Sequence, residues 1–222
     1  MITFADIEAR AQGRKGGAQA LAALLATPLP MNAVADIPED RWLAEMTRGI
    51  FQAGFNWDLI DQRWPQFEAA FEGFSVTRWL FMSDDDLSAL LHTSGLVANA
   101  EKLRSVASNA KFLSDIANSH GSAGAWFASW SINSFMALCA ELKARGSRLG
   151  GLTGQRMMRR LGRDSLILTP TVVRAFNAFG VISGEPTAKK DIAAVQAAID
   201  IWHQESGRGL THISQILAFS VD

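Results

Sequence analysis

Apolar residues recur at three- and four-residue intervals along almost the whole chain, which is the spacing of helices rather than strands. Residues 4–26 read as one or two helices, interrupted at "GRKGG" and ended by "TPLP". "PEDRWLAEMTRGIFQ" opens on Pro38 and two acids, a helix start, and runs toward Gly54. Asn56 is placed to cap a short helix before Pro65. Pro65 then suits the first turn of "PQFEAAFEGF", a predicted helix with Phe67, Phe71 and Phe74 at helical spacing. Ser83 caps "DDDLSALLHTSG", whose acids favour a helix N-terminus. Asn99 caps a longer helix with Leu103, Val106, Ala110 and Leu113 on one stripe.

The second half continues the pattern. "AWFASWSINSFMALCAELKARG" reads as one helix with an irregular start. "TGQRMMRRLG", "PTVVRAFNAFG", "TAKKDIAAVQAAIDIWHQESG" and "LTHISQILAFS" are further helices. "DSLILT" alone is strand-like, and it also reads as an extended connector. The prediction is an all-α chain whose N- and C-terminal helices flank a central block and pack together as one lobe.

Charge sharpens this picture. The chain of 222 residues carries a net charge of −1, so its total does not point to a polyanionic partner. From Lys143 to Arg174, however, eight bases face one acid, Asp164, a local balance of +7 that leaves −8 for the rest. A basic segment on an acidic body is either a solvated helix surface or a localised anion-binding face. The single cysteine, Cys139, lies in an apolar run and excludes an intramolecular disulfide. His92, His120, His203 and His212 form no i,i+4 pair and lie far from Cys139 in sequence, so no metal site is expected. With neither a secretory pattern nor a long apolar run, the expected location is the cytoplasm.

Residues 142–162, "LKARGSRLGGLTGQRMMRRLG", hold candidate chemistry. A helix with a basic end stops at Gly146, and a turn contains Gly146, Gly150 and Gly151. Thr153 is placed to cap the next helix, which continues through Gly154. Glycines allow close approach, and free amides at a helix start favour a phosphate. Arg145, Arg148 and Arg156 are close enough in sequence to surround it. Such an arrangement grips a nucleic-acid backbone without reading bases.

A second stretch, "GIFQAGFNW" (49–57), places three rings with Gln52 and Asn56 around Gly54. In its context, "IFQAGFNWDLIDQRWPQFEAAFEGF", it resembles the core segment of the DNA-3-methyladenine glycosylase I family, through the Gln-Ala-Gly run, Trp57 and Phe71. "SGLVANAEKLRSVASNAKFL" is similar to that family's glycine-apolar-apolar turn and the helix after it, with its Lys-Leu and Asn-Ala pairs. "LKARGSRLGGLTG" is similar to its helix-hairpin-helix. The resemblance covers residues 40–162.

The resemblance implies a helix-hairpin-helix glycosylase-like fold of two helical lobes with a cleft between them. Residues 1–222 would be one domain, with 40–162 as core, 142–162 as hairpin, and 1–39 and 163–222 as flanking helices. The implied activity is monofunctional excision of 3-methyladenine from DNA in base-excision repair, with the nucleotide flipped out of the duplex. N3-alkylation makes the base cationic and a good leaving group, and an indole face attracts a cation. Trp57 matches the family's stacking tryptophan and Gln52 a glutamine beside it. The family's pocket glutamate falls at Gly49, and Glu45, one helical turn away, is the replacement catalytic acid. The superfamily's aspartate after the hairpin falls near Thr169, Pro170 and Thr171. The expected partner is double-stranded DNA with alkylated bases, bound by a monomer without cofactor, metal or membrane. Gly49 also motivates an alternative, a non-catalytic lesion- or DNA-binding protein on the same scaffold.

Overall fold

A computed structural model describes residues 2–222, and they fold as an all-α protein. Thr3 caps α1 (Phe4–Lys15), and left-handed Gly16 ends it before α2 (Ala18–Leu24). A proline-bearing stretch leads to α3 (Met31–Ala35) and α4 (Glu39–Gln52). The short helices α5 (Trp57–Gln62), α6 (Trp64–Ala70) and α7 (Val76–Trp79) follow. Ser83 and Asp86 form a reciprocal capping box on α8 (Asp84–His92), so each satisfies a backbone donor of the other. Asn99 caps α9 (Ala100–His120) through a 3.0 Å bond from the Lys102 amide. Then come α10 (Ala123–Ser129), α11 (Phe135–Arg145) and α12 (Leu152–Arg160). The chain finishes with α13 (Pro170–Ala178), α14 (Lys189–Ser206) and α15 (Leu210–Ser220).

Two local predictions from sequence need correction. The helix through Phe67, Phe71 and Phe74 stops at Ala70, because Glu72, Gly73 and Phe74 all take positive φ in a 3-10 turn. Arg41 holds this turn by donating to Gly73 O (2.8 Å) and pairing with Glu68. The three rings are buried all the same, with Trp64 stacked 5.4 Å from both Phe67 and Phe74. Each such buried ring contributes about 1.5–3 kcal/mol of hydrophobic stabilisation.

Residues 125–146 are not one helix. Extended Trp130 separates α10 from α11, and the Gln196 side chain caps the break, accepting from Met136 N (2.9 Å) and donating to Ile132 O (3.0 Å). The break leaves Phe127 stacked on Trp42, with ring centroids 3.8 Å apart. The "DSLILT" stretch is an extended connector with no strand partner among the described residues. Side chains satisfy its amides instead: Thr211 receives Ser165 N, Ser214 receives Ile167 N, and Gln155 receives Leu168 N.

Packing divides accordingly. α4 lies against α9, α10 and α12, while α1 packs on α14 and α15, and α13 on α15. Trp202 fills the second group, 5.5 Å from Phe176 and 6.2 Å from Phe4. Arg163, 2% exposed, ties the central helices to the connector by donating to the carbonyls of Phe127, Trp130 and Asp164. No helix among the described residues is long and apolar enough to cross a membrane.

Candidate functional site

The end of α4 sets the site. Lys102, buried on α9, donates to Ala53 O (2.7 Å) and Phe51 O (3.4 Å), two carbonyls orphaned at the helix end. Its ammonium lies 4.5 Å from the Phe55 ring centroid. Burial, and then the nearby charge of Arg148, pull its pKa below the usual lysine value. Gly54 turns the chain at φ +77°, a value open to glycine at little cost. Asn56 then caps α5 by accepting from Leu59 N. Trp57 therefore stands on the first turn of α5, 42% exposed.

Helix α12 crosses α4 at Gly49. A Cβ placed there would meet Arg160 Nη2 and Thr153 Cγ2, each at 3.3 Å. The space a side chain would take at Gly49 is thus held by the Arg160 guanidinium. Arg160 Nε lies 2.5 Å from Glu45 Oε1, an ion pair without a well-directed hydrogen bond, since that oxygen is otherwise buried and unpartnered. Arg160 Nη1 donates to Gln52 Oε1, and Gln52 Nε2 donates to Asp61 Oδ1 (2.8 Å). Arg48 completes the chain of contacts at Asp61 (2.7 Å). Burial raises the Glu45 pKa above the ordinary carboxylate value, against the attraction of Arg160 and Arg48, and burial likewise lowers that of Arg160.

A cavity of about 20 Å3 opens between these helices, lined by Gly49, Gln52, Ala53, Trp57, Thr153, Arg156 and Arg160. That is room for about one water. Arg156, one of the lining residues, has its guanidinium carbon 4.7 Å from the Trp57 ring centroid. Trp57 and Gln52 are therefore brought together, but both amide ends of Gln52 are already engaged. Glu45 lies behind Arg160 and does not line the cavity.

The turn between α11 and α12 is built tightly. Gly146 and Gly154 pack against Leu142 and Leu149, where a Cβ would clash. Gly150 lies over the Lys143 stem. Gly151, at φ +59° with open space beside it, is the residue preceding α12. Thr153 does not cap that helix as sequence predicts; it is the second residue of the helix and turns its methyl toward Gly49. Buried Asn109 clamps the turn to α9 through both its amide ends, to Ser147 O (3.1 Å) and from Ser147 N (2.8 Å).

The basic segment is not one face. Arg159 donates to Ser165 O, Arg163 is internal, Arg160 belongs to the cavity and Arg174 grips Asp222 O. Arg145 pairs with Glu141, Arg148 (φ +60°) with Glu101, and Arg156 covers Trp57, so each of the three has its own partner. Thr169 caps α13, while Asp164 caps α15 through the amides of Leu210 and Thr211. None of the rings in 126–130 lines the cavity.

Sequence reasoning singled out neither Lys102 nor Asn109 as individual site residues. A signal existed: both are polar residues on the buried face of α9, next to the Leu103–Val106–Ala110 stripe. Arg160 carried no such signal.

The sequence pattern of the methyladenine glycosylase family matches residues 37–183. Among solved structures, a crystal structure of 3-methyladenine DNA glycosylase I is similar, with 18% identity, a TM-score of 0.49, and coverage of 63% of this chain and 91% of that one. No curated protein sequence matches the chain.

Proposed function

Because this chain belongs to the methyladenine glycosylase family, we propose that it is a monofunctional DNA glycosylase that excises alkylated purines of the 3-methyladenine type from double-stranded DNA. The observation that carries this reading is the half-exposed Trp57 face with a cation already seated on it, 4.7 Å from the ring. A flipped, N3-alkylated base is a flat cation, and it replaces the Arg156 guanidinium on the indole.

Arg156 is then free to contact a phosphate. The glycine turn and the amides that open α12 hold the backbone, with Arg145 and Arg148 at their edge. Lys102 and Asn109 are positioning residues: one holds the end of α4 that aims Trp57, the other holds the turn. Breaking the bond between the sugar C1′ and N9 returns its electron pair to the base, which leaves neutral. Water adds its oxygen to C1′ and loses a proton to solvent. Glu45 acts through Arg160, which it orients. Release of free base from methylated duplex DNA tests the reading.

A further inference from the structure

We infer that the cavity prefers purines with an oxo group at C6, guanine-type lesions, over their 6-amino adenine counterparts, and that Arg160 sets this preference. The inference rests on the proposed stacking of the base on Trp57 in place of Arg156, which brings the edge of the base to the cavity, itself roomy enough for only about one water. Where Gly49 provides no side chain, the group facing the gap is the Arg160 guanidinium. Its Nε is taken by Glu45 and its Nη1 by Gln52. Its Nη2 has no hydrogen-bond partner among the described residues and stands 3.3 Å from the Gly49 Cβ position, on the cavity wall.

A guanidinium only donates hydrogen bonds. The outer edge of guanine offers two acceptors, O6 and N7, and arginine is their commonest partner. The same edge of adenine offers one acceptor and the N6 amino donor, which would face another donor. Gln52 answers that donor only with the second lone pair of its oxygen, the first already accepting from Arg160, while its nitrogen donates to Asp61. Thr153 turns its methyl to the gap. The charge of Arg160 does not repel a cationic base, since Glu45 balances it and Asp61 balances Arg48. One good contact of this kind discriminates by at least about fivefold.

The test uses duplex DNA methylated at N3 of both purines, with initial rates of release of 3-methylguanine and 3-methyladenine measured per lesion by mass spectrometry. The expected result is 3-methylguanine released at least about fivefold faster, with the ratio falling toward one in the double variant Glu45→Gln/Arg160→Gln. The paired change avoids stranding a buried charge, and its melting temperature is checked against the native protein. Faster release of 3-methyladenine, or a ratio that the folded double variant leaves unchanged, overturns the inference. If neither base is released, the glycosylase reading fails, and calorimetric titration with the two free methylated bases decides the inference by itself. Tighter 3-methylguanine binding that needs Arg160 supports it, and equal binding overturns it.

Discussion

Arg156 lies over the ring of Trp57, its guanidinium carbon 4.7 Å from the ring centroid, and both side chains line the cavity. The two side chains come from different helices, so the stack also joins α5 to α12. If a guest base takes the place of that guanidinium, removing the indole removes the platform. Trp57→Ala is expected to lower kcat/KM for base release by about 1–3 kcal/mol, a factor between about 5 and 150. Because Trp57 is half exposed, its melting temperature should stay within about 2 °C of native. Calorimetry and a base-release assay on the same preparation check both parts.

Arg148 stands beside the glycine turn and meets only the exposed carboxylate of Glu101. Arg148→Glu should weaken binding to undamaged and damaged duplexes alike, because phosphate contacts carry no sequence information. The slope of log affinity against log salt should become shallower by about 1–2. Fluorescence anisotropy at several salt concentrations measures this.

Asn109 satisfies both backbone groups of Ser147 from a fully buried position. Asn109→Ala leaves those groups unpaired, at a cost of about 2–3 kcal/mol. The melting temperature should fall by about 4–12 °C.

Glu45 has a folded-state pKa above its unfolded value because it is buried. A raised carboxylate binds its proton more tightly when folded, so its contribution is fully present below the ordinary value of 4.5 and is lost as pH rises through the folded pKa. The stability of the native protein relative to Glu45→Gln should therefore decline as pH rises from 4.5. Urea denaturation of both proteins across that range measures the difference. An increase with pH would mean that the pairing with Arg160 outweighs burial.

Much of the helical order was legible in sequence because it rests on local chemistry. Ser83, Asn99 and Asn56 cap the helices that their neighbours predict. The errors arose where distant groups decide. Gln196, 60 residues from Met136, stabilises the break before α11, and Arg41, 32 residues away, holds the turn at Gly73. The candidate site divides the same way. Trp57 and Gln52 are close in sequence, and their motif was readable. Arg160 reaches them from 108 residues beyond Gln52. Nothing in "GQRMMRRLG" tells which arginine turns inward, because the crossing of α12 over Gly49 makes that choice.

The most direct test of the central claim is incubation of the folded protein with N-methylated duplex DNA, followed by mass spectrometry of the free bases. N3-methylated purine is expected to accumulate with the native protein, and Trp57→Ala to slow its release by a factor between about 5 and 150. A protein that binds the methylated duplex yet releases no base would contradict the account and leave a lesion-binding protein in its place.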